Sequence, residues 1–302
     1  MAVARHIRNP VEWVLDAFAR AEHSLEEAGR HVGGLDAARY DAPPEIHRIT
    51  IADLQAALAR GFDDFSACRT DVIALFAVYP LIGLVLARLT FGYDMLPLLF
   101  PLAAGFALIG PVAAVGLYQM SRAREQGAEV SWAHAFSVVQ SPRFGAIVVL
   151  GLLLLGVFVT WLIVAQAIYM VTLGPTPPVS FGAFVSDVFT TAAGWTMIVV
   201  GLAVGALFAI FVLTISVVSF PLLLDRDVGL PTAMATSIRT VAANPGPMLV
   251  WGLIVAIGLA LGMLPLFLGL TVVVPVLGHA TWHLYRSVVK PAGTEMMQEP
   301  SE

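Results

Sequence analysis

Two histidines stand four residues apart, His279 and His283, in the stretch VLGHATWHLYR (276–286) at the end of the last long apolar run. That spacing puts both rings on one face of a helix. Two such rings can supply part of a metal site or contact a haem, but either needs further ligands or a defined axial geometry. The other five histidines, His6, His23, His31, His47 and His134, all fall in polar stretches. The plainer reading is an interfacial, hydrogen-bonded pair flanking Trp282. No cofactor is called for.

Arg88 lies inside the first apolar run, near its far end. A charge at mid-bilayer costs roughly 3 kcal/mol on insertion scales and is often functional. So close to a boundary, however, an arginine can extend its head outward or pair with Asp94 or Asp187. Asp225-Arg226-Asp227 could contact an ion or a lipid head group. It could equally end a span, with Arg226 marking the side and the acids solvated or paired with Arg239. No HExxH, GxSxG, phosphate-binding loop, dinucleotide fingerprint or acidic pair within a span is present, so no catalytic residue is assigned.

The elements that must position these residues follow from composition. The chain has 302 residues, 58% hydrophobic and 12% charged, with mean hydropathy +0.84. A soluble domain is about a quarter charged. Of the 37 charged residues (16 basic, 21 acidic), 20 lie before position 72, so residues 72–290 are largely lipid-compatible. In lipid every backbone polar group needs an internal partner, and this points to an all-α, polytopic membrane protein. A net charge of −5 argues against nucleic acid as a partner, and the single cysteine, Cys68, excludes an internal disulfide.

Residues 1–71 read as a small helical cytoplasmic segment, net −4, without a signal-peptide pattern, expected to dock on the membrane domain or on a partner. Helical spacing runs from Val11 to Arg30. Thr50-Ile-Ala-Asp53 opens a second helix with a cap-like start, and Gly61 is its expected stop. Six spans follow, at about 72–91, 95–118, 144–171, 193–224, 248–263 and 265–282. The fourth is overlong for a bilayer and is expected to tilt or project. The second carries Pro97, Pro101 and Pro111 and is expected to kink. Residues 173–192 are read as a loop holding Asp187, and Gly262-Met-Leu-Pro265 as the turn that splits the last apolar run. Trp132, Trp251, Trp282 and Tyr285 fit an aromatic belt. Residues 291–302 form a polar tail.

Arginines test the count. Arg60 and Arg69, Arg122, Arg124 and Arg143, Arg226 and Arg239, and Arg286 with Lys290 all fall on one side of a six-span model. The three loops on the other side carry none. The positive-inside rule then places both termini in the cytoplasm of a bacterial inner membrane.

Two polar elbows interrupt the spans, at Gln119–Phe144 and Leu222–Gly252. Each runs from charges to a glycine (Gly127, Gly229), then a Ser or Thr opening an Ala-rich helix (Ser131, Thr232), then a proline stop (Pro142, Pro245). The pattern is a repeat of two interfacial helices, with Ala133, Phe136 and Val139, or Met234, Ile238 and Val241, toward the acyl chains. Gly201-xxx-Gly205 and Gly258-xxx-Gly262 permit close helix packing.

DAPPEIHRITIADLQAALARGFDDF (41–65), RTDVIALFAVYPLIGLVLARLTFGYDMLPLLFPL (69–102), SFPLLLDRDVGLPTAMATSIRTVAANPGPM (219–248) and VLGHATWHLYR resemble a family of bacterial, mainly alphaproteobacterial, integral-membrane proteins classed as a domain of unknown function. Some of its members are labelled cytochrome c oxidase subunits. The likeness runs from about residue 5 to 290 and implies an inner-membrane location but no reaction. A catalytic oxidase subunit would need histidines on several spans. The residues therefore suggest a non-enzymatic scaffold, assembly or envelope factor that touches membrane lipids, with another membrane protein or complex as the candidate partner of its N-terminal segment. The alternatives are a small-solute or lipid transporter, an accessory subunit of a respiratory oxidase, and an intramembrane or metal-dependent enzyme.

Overall fold

The computed structural model describes residues 44–68, 80–85, 88, 95–128, 130, 132–176 and 178–289. In chain order the helices are α1 (Ile51–Ala67), α2 (Leu99–Ala113, entered through a 3-10 turn at Leu96–Leu98), α3 (Val115–Glu125), α4 (Trp132–Phe136, extended by a 3-10 turn at Ser137–Gln140), α5 (Phe144–Thr172), α6 (Phe181–Thr190), α7 (Ala192–Ser216), α8 (Ser219–Asp225), α9 (Leu230–Ala243), α10 (Pro245–Met263) and α11 (Leu270–Val288). Among the described residues the sole strand-like pairing is one bridge, Ile46 with Val289. The expected helix at Val11–Arg30 and the polar tail lie outside the described residues.

Four stretches are long and apolar enough to cross a membrane: Leu96–Glu125, Phe144–Thr172, Ala192–Asp225 and Pro245–Met263. They coincide with the second to fifth expected spans. Their outer faces are apolar, as in Leu152, Leu155 and Ile163 on α5, Val199, Leu207 and Phe211 on α7, and Leu253, Ile257 and Leu261 on α10. Such a surface is stable in hydrocarbon and a liability in water. On α5 the buried residues Ile147, Leu150, Leu154, Trp161, Ala165 and Tyr169 recur every three to four positions, which turns one stripe inward. Of the first expected span, residues 80–85 and 88 are described and helical. α11 is not among the four: of its nineteen residues twelve are buried, against four of twenty-five in α7. It is a central helix enclosed by α1, α3 and α10, so its His, Tyr and Arg face protein.

Several expectations change. Gly61 does not stop α1, which continues to Ala67; a Cβ at Gly61 would lie 2.5 Å from the Ala280 nitrogen, so glycine lets α1 and α11 cross backbone to backbone. Residues 181–190 are a helix, not a loop: Ser180 Oγ accepts from the Ala183 amide (3.2 Å) and caps it. The overlong fourth span is interrupted at Val217-Val218 rather than left projecting. Pro221 offers no N–H to the Val217 carbonyl and its ring crowds that carbonyl. The Val218 amide is diverted to Ser237 Oγ (3.3 Å), and Ser219 Oγ donates to the carbonyls of Ile215 (2.6 Å) and Ala233 (3.1 Å). Pro111 lies inside α2, three residues before the break at Ala114 that separates α2 from α3. Trp251, Trp282 and Tyr285 form no belt; they are 0–1% exposed and fill the core. α10 ends at Met263, close to the expected break, and Leu266 and Phe267 take positive φ to turn the chain into α11. Gly262 and Gly269 press backbone to backbone in that turn. Of the small-residue pairs, Gly205 meets Trp161 and Gly258 meets Val273, whereas Gly201 faces open space.

Candidate functional site

α1 is placed from both ends. Asp53 Oδ2 accepts from the Thr50 amide (2.7 Å) and hydroxyl (2.8 Å), completing the expected capping box. These bonds, the backbone one foremost, hold the Asp53 carboxyl below the usual range. Just before the cap, the His47 amide donates to the Val288 carbonyl (2.8 Å). Asn244, in the Asn-Pro stop of the second elbow, accepts from the Ile49 amide (2.8 Å) and donates to the carbonyls of His47 (3.1 Å) and Thr240 (3.2 Å). One buried amide side chain thus joins the end of α9 to the start of α1.

At the other end of α1 lies a buried polar cluster. Asp64 Oδ2 accepts from Ser121 Oγ of α3 (2.6 Å) and from His283 Nε2 of α11 (2.8 Å); Asp64 Oδ1 pairs with Arg124 of α3. His279 Nδ1 lies 2.8 Å from Ser121 Oγ. The side chains of Asp64 and His279 are 8% and 1% exposed. The single proton of Ser121 points at the carboxylate. His279 must therefore donate through Nδ1, which leaves its Nε2 as the bare lone pair. That Nε2 is buried and meets no hydrogen-bonding partner among the described residues. Burial alone would raise the Asp64 pKa; the bonds from His283 and Ser121, with the charge the histidines can carry, outweigh it and hold the carboxyl below its usual range.

This is the two-histidine face noted at the outset: the rings are hydrogen-bonded as the plainer reading expects, but buried rather than interfacial. Both rings converge on a carboxylate from another helix, and Arg124 supplies the cation on its far side. Among the described residues no three His, Cys, Asp or Glu side chains converge as a metal site would need. The order of contacts also differs from an acyl-transfer triad, where histidine takes the serine proton and the carboxylate orients the histidine. Here the carboxylate accepts the serine proton and His279 donates to the serine oxygen, so the histidine does not act as a base toward Ser121.

One turn further along α11 is an ionic layer. Arg286 donates from Nε to both oxygens of Glu125 (3.0 and 3.1 Å), from Nη2 to Glu125 Oε1 (2.9 Å) and from Nη1 to Asp225 Oδ2 (3.1 Å). Tyr285 donates to Asp225 Oδ2 (2.6 Å), and Arg122 Nε stands 3.8 Å from Asp225 Oδ1. Trp282 Nε1 donates to Glu125 Oε2 (3.2 Å), with the Arg286 guanidinium 5.7 Å from the ring centre. Glu125 ends the helix entering the first elbow and Asp225 ends the one entering the second. Arg286 therefore clamps the two repeat units at matching positions. A second tie pairs Arg143, closing the first elbow, with Asp227 in the second.

The other sequence candidates are placed as follows. Asp225 is bound by Tyr285 and Arg286 rather than Arg239, whose Nη2 donates to Thr236 Oγ1 (3.2 Å). Arg226 caps α8 through its amide. Arg88 and Asp187 are exposed. Asp94 lies outside the described residues, so the Arg88–Asp94 pairing does too. The elbow helices differ more than their sequences: α9 is fourteen residues long, while the first elbow makes a five-residue helix and a 3-10 turn. α9 turns Ala233, Thr236, Ser237 and Thr240 inward and leaves Ile238 45% exposed; Phe136 in the first elbow is 41% exposed. Ile238 and Phe136 thus face outward as an interfacial helix needs, but Met234 and Val241, expected to face the acyl chains with Ile238, pack against the core instead.

Asp64, Ser121, Glu125 and Asn244 were not singled out by motif. For Asp64 a signal existed: with Ala57, Gly61 and Phe65 it falls on the stripe of α1 that became buried. Reading Gly61 as a stop cut that stripe short.

Residues 99–225, from α2 through α8, match the model of a family described as predicted integral membrane protein (DUF2189). This is narrower than the likeness read from the motifs. No curated protein and no solved structure matches the chain. Taken with the apolar outer faces of the long helices, the match makes the chain a multi-pass, helical integral membrane protein whose residues 99–225 are similar to the DUF2189 family.

Proposed function

We propose that the protein is a non-enzymatic scaffold of the bacterial inner membrane, with its arginine-rich end and both termini in the cytoplasm. One observation carries this reading: the chemically capable side chains at the charged end bind one another. Asp64, Ser121, Arg124, His279 and His283 fasten α1 to α3 and α11, and Arg286 and Arg143 tie the two elbows together. The product is a rigid platform at the membrane surface with α1 docked on it. Alternating access requires two arrangements of repeat units, and these ties oppose relative motion of the elbows. The interior is filled by Trp161, Leu150, Leu154, Phe220 and Trp251, which gives a polar solute no favourable route among the described residues. The partner-facing surface is the outer side of α1, where Phe62 is 55% exposed.

A photo-crosslinking residue at position 62, in intact membranes, tests the role. A discrete crosslinked protein that disappears in Asp64→Ala supports it. Crosslinking to lipid alone, or solute flux by the purified protein in vesicles, refutes it. Orientation is tested in a Cys68→Ser background with a single cysteine at position 127. Labelling by an impermeant maleimide only after the cells are opened is the expected outcome.

A further inference from the structure

We propose that a slot between α2, α7, α10 and α11 holds one acyl chain of a membrane phospholipid, a ligand assignment independent of the platform reading. The slot encloses about 540 Å³, within the range of roughly 300–1,000 Å³ usual for ligand pockets. Its lining runs along α10 from Pro245 to Leu259, along α2 and α3 from Ala107 to Tyr118, and along α7 from Ala206 to Val217. At ~1.5 Å per residue these walls are ~16 to ~21 Å long. One leaflet of hydrocarbon is half of a ~30 Å core. The slot therefore begins at the first turn of α10, level with the charged end, and spans about one leaflet. That length and direction suit a tail lying along the membrane normal.

The slot is bounded on the outside by Ile210, Leu249 and Leu253, which are 48%, 56% and 51% exposed, so its rim belongs to the apolar outer surface. Its inner hydroxyls are engaged: Ser216 donates to the Val212 carbonyl (2.6 Å) and Thr281 to the Leu277 carbonyl (2.7 Å). A polar ring inside would compete with those bonds, whereas a tail whose head group stays at the interface would not. Val241, on α9 beside the charged end, lines the slot there, so a head group at that end stays at the membrane surface.

The test is purification of the full chain in mild detergent, extended washing, and measurement of retained lipid by native mass spectrometry and by extraction. One phospholipid per chain is expected to survive. Ala209→Phe and Ala256→Phe, which put a ring into the slot from opposite walls, should each lower retention about tenfold. Ala203→Phe, exposed on α7 away from the slot, should leave it unchanged. Size-exclusion profiles and crosslinking at position 62 report whether each variant is folded. Retention of no lipid by the wild type, wild-type retention in both slot variants, or recovery of a free fatty acid or an isoprenoid quinone in place of phospholipid would overturn the assignment.

Discussion

Replacing Asp64 with alanine removes the one acceptor shared by three helices. Of its three donors Ser121 is fully buried, and His283 is only partly open to water. Ser121 is 2% exposed and the His283 side chain 15%. Each orphaned donor costs about 1–3 kcal/mol. The third, Arg124, is 40% exposed on its side chain and is resolvated, so it adds little. With the part-exposed His283 at the low end of that range and Ser121 anywhere within it, the expected destabilisation is about 2–4 kcal/mol, toward the lower end if water enters the small void. Reversible unfolding in mixed micelles of mild detergent and dodecyl sulfate measures it. A double-mutant cycle with Ser121→Ala should give a coupling of about 1–2 kcal/mol, because the two side chains share one short hydrogen bond. The location matters as well as the size: α1 should become protease-sensitive in Asp64→Ala while α5 and α7 stay protected. A loss under about 0.5 kcal/mol, the scale of surface changes, or additive single mutants, would refute the view that this cluster fastens α1.

The same carboxylate carries a pH dependence. Its folded pKa is held below the usual range, so its contribution is complete above that range and fades as pH falls through the folded value. The stability gap between wild type and Asp64→Asn should be constant near neutrality and close below pH about 4; a gap that widens in acid would contradict this. Gly61→Val should displace α1, since its Cβ would meet the Ala280 backbone at 2.5 Å, at a cost of at least about 1–3 kcal/mol by the same unfolding assay. Arg286→Gln leaves Glu125 and Asp225 facing one another without their clamp. Disulfide trapping of cysteines placed in the two elbows should then show greater relative motion; unchanged trapping would mean that the Arg143–Asp227 pair suffices alone.

The helical class, the positions of the long apolar stretches and the two elbows were legible, because each rests on local pattern. Runs of apolar residues, proline stops and a capping box act over a few residues, and lipid tolerates few backbone solutions. The α5 boundaries illustrate this: Arg143 precedes an unbroken apolar run, and Gly174-Pro175 follows it. Errors arose where a local cue had a distant cause. Gly61 looked like a stop because glycine ends helices, yet it is glycine because Ala280, far along the chain, crosses there. Trp251 and Trp282 looked interfacial because they stand near span ends, but their helices rotate them inward.

The sequence by itself determined that the chain lives in a membrane and that its charge gathers at one end. Those follow from composition and from the cost of burying ions in hydrocarbon. Tertiary structure alone decided what the charges do. His279 and His283 share a helix face in any reading, but their partner Asp64 is 219 residues from His283. Nothing local pairs them; only the crossing of α1 and α11 does. It makes the hydrogen-bonded pair a buried fastening rather than an interfacial one, and Arg286 likewise joins the two elbows physically.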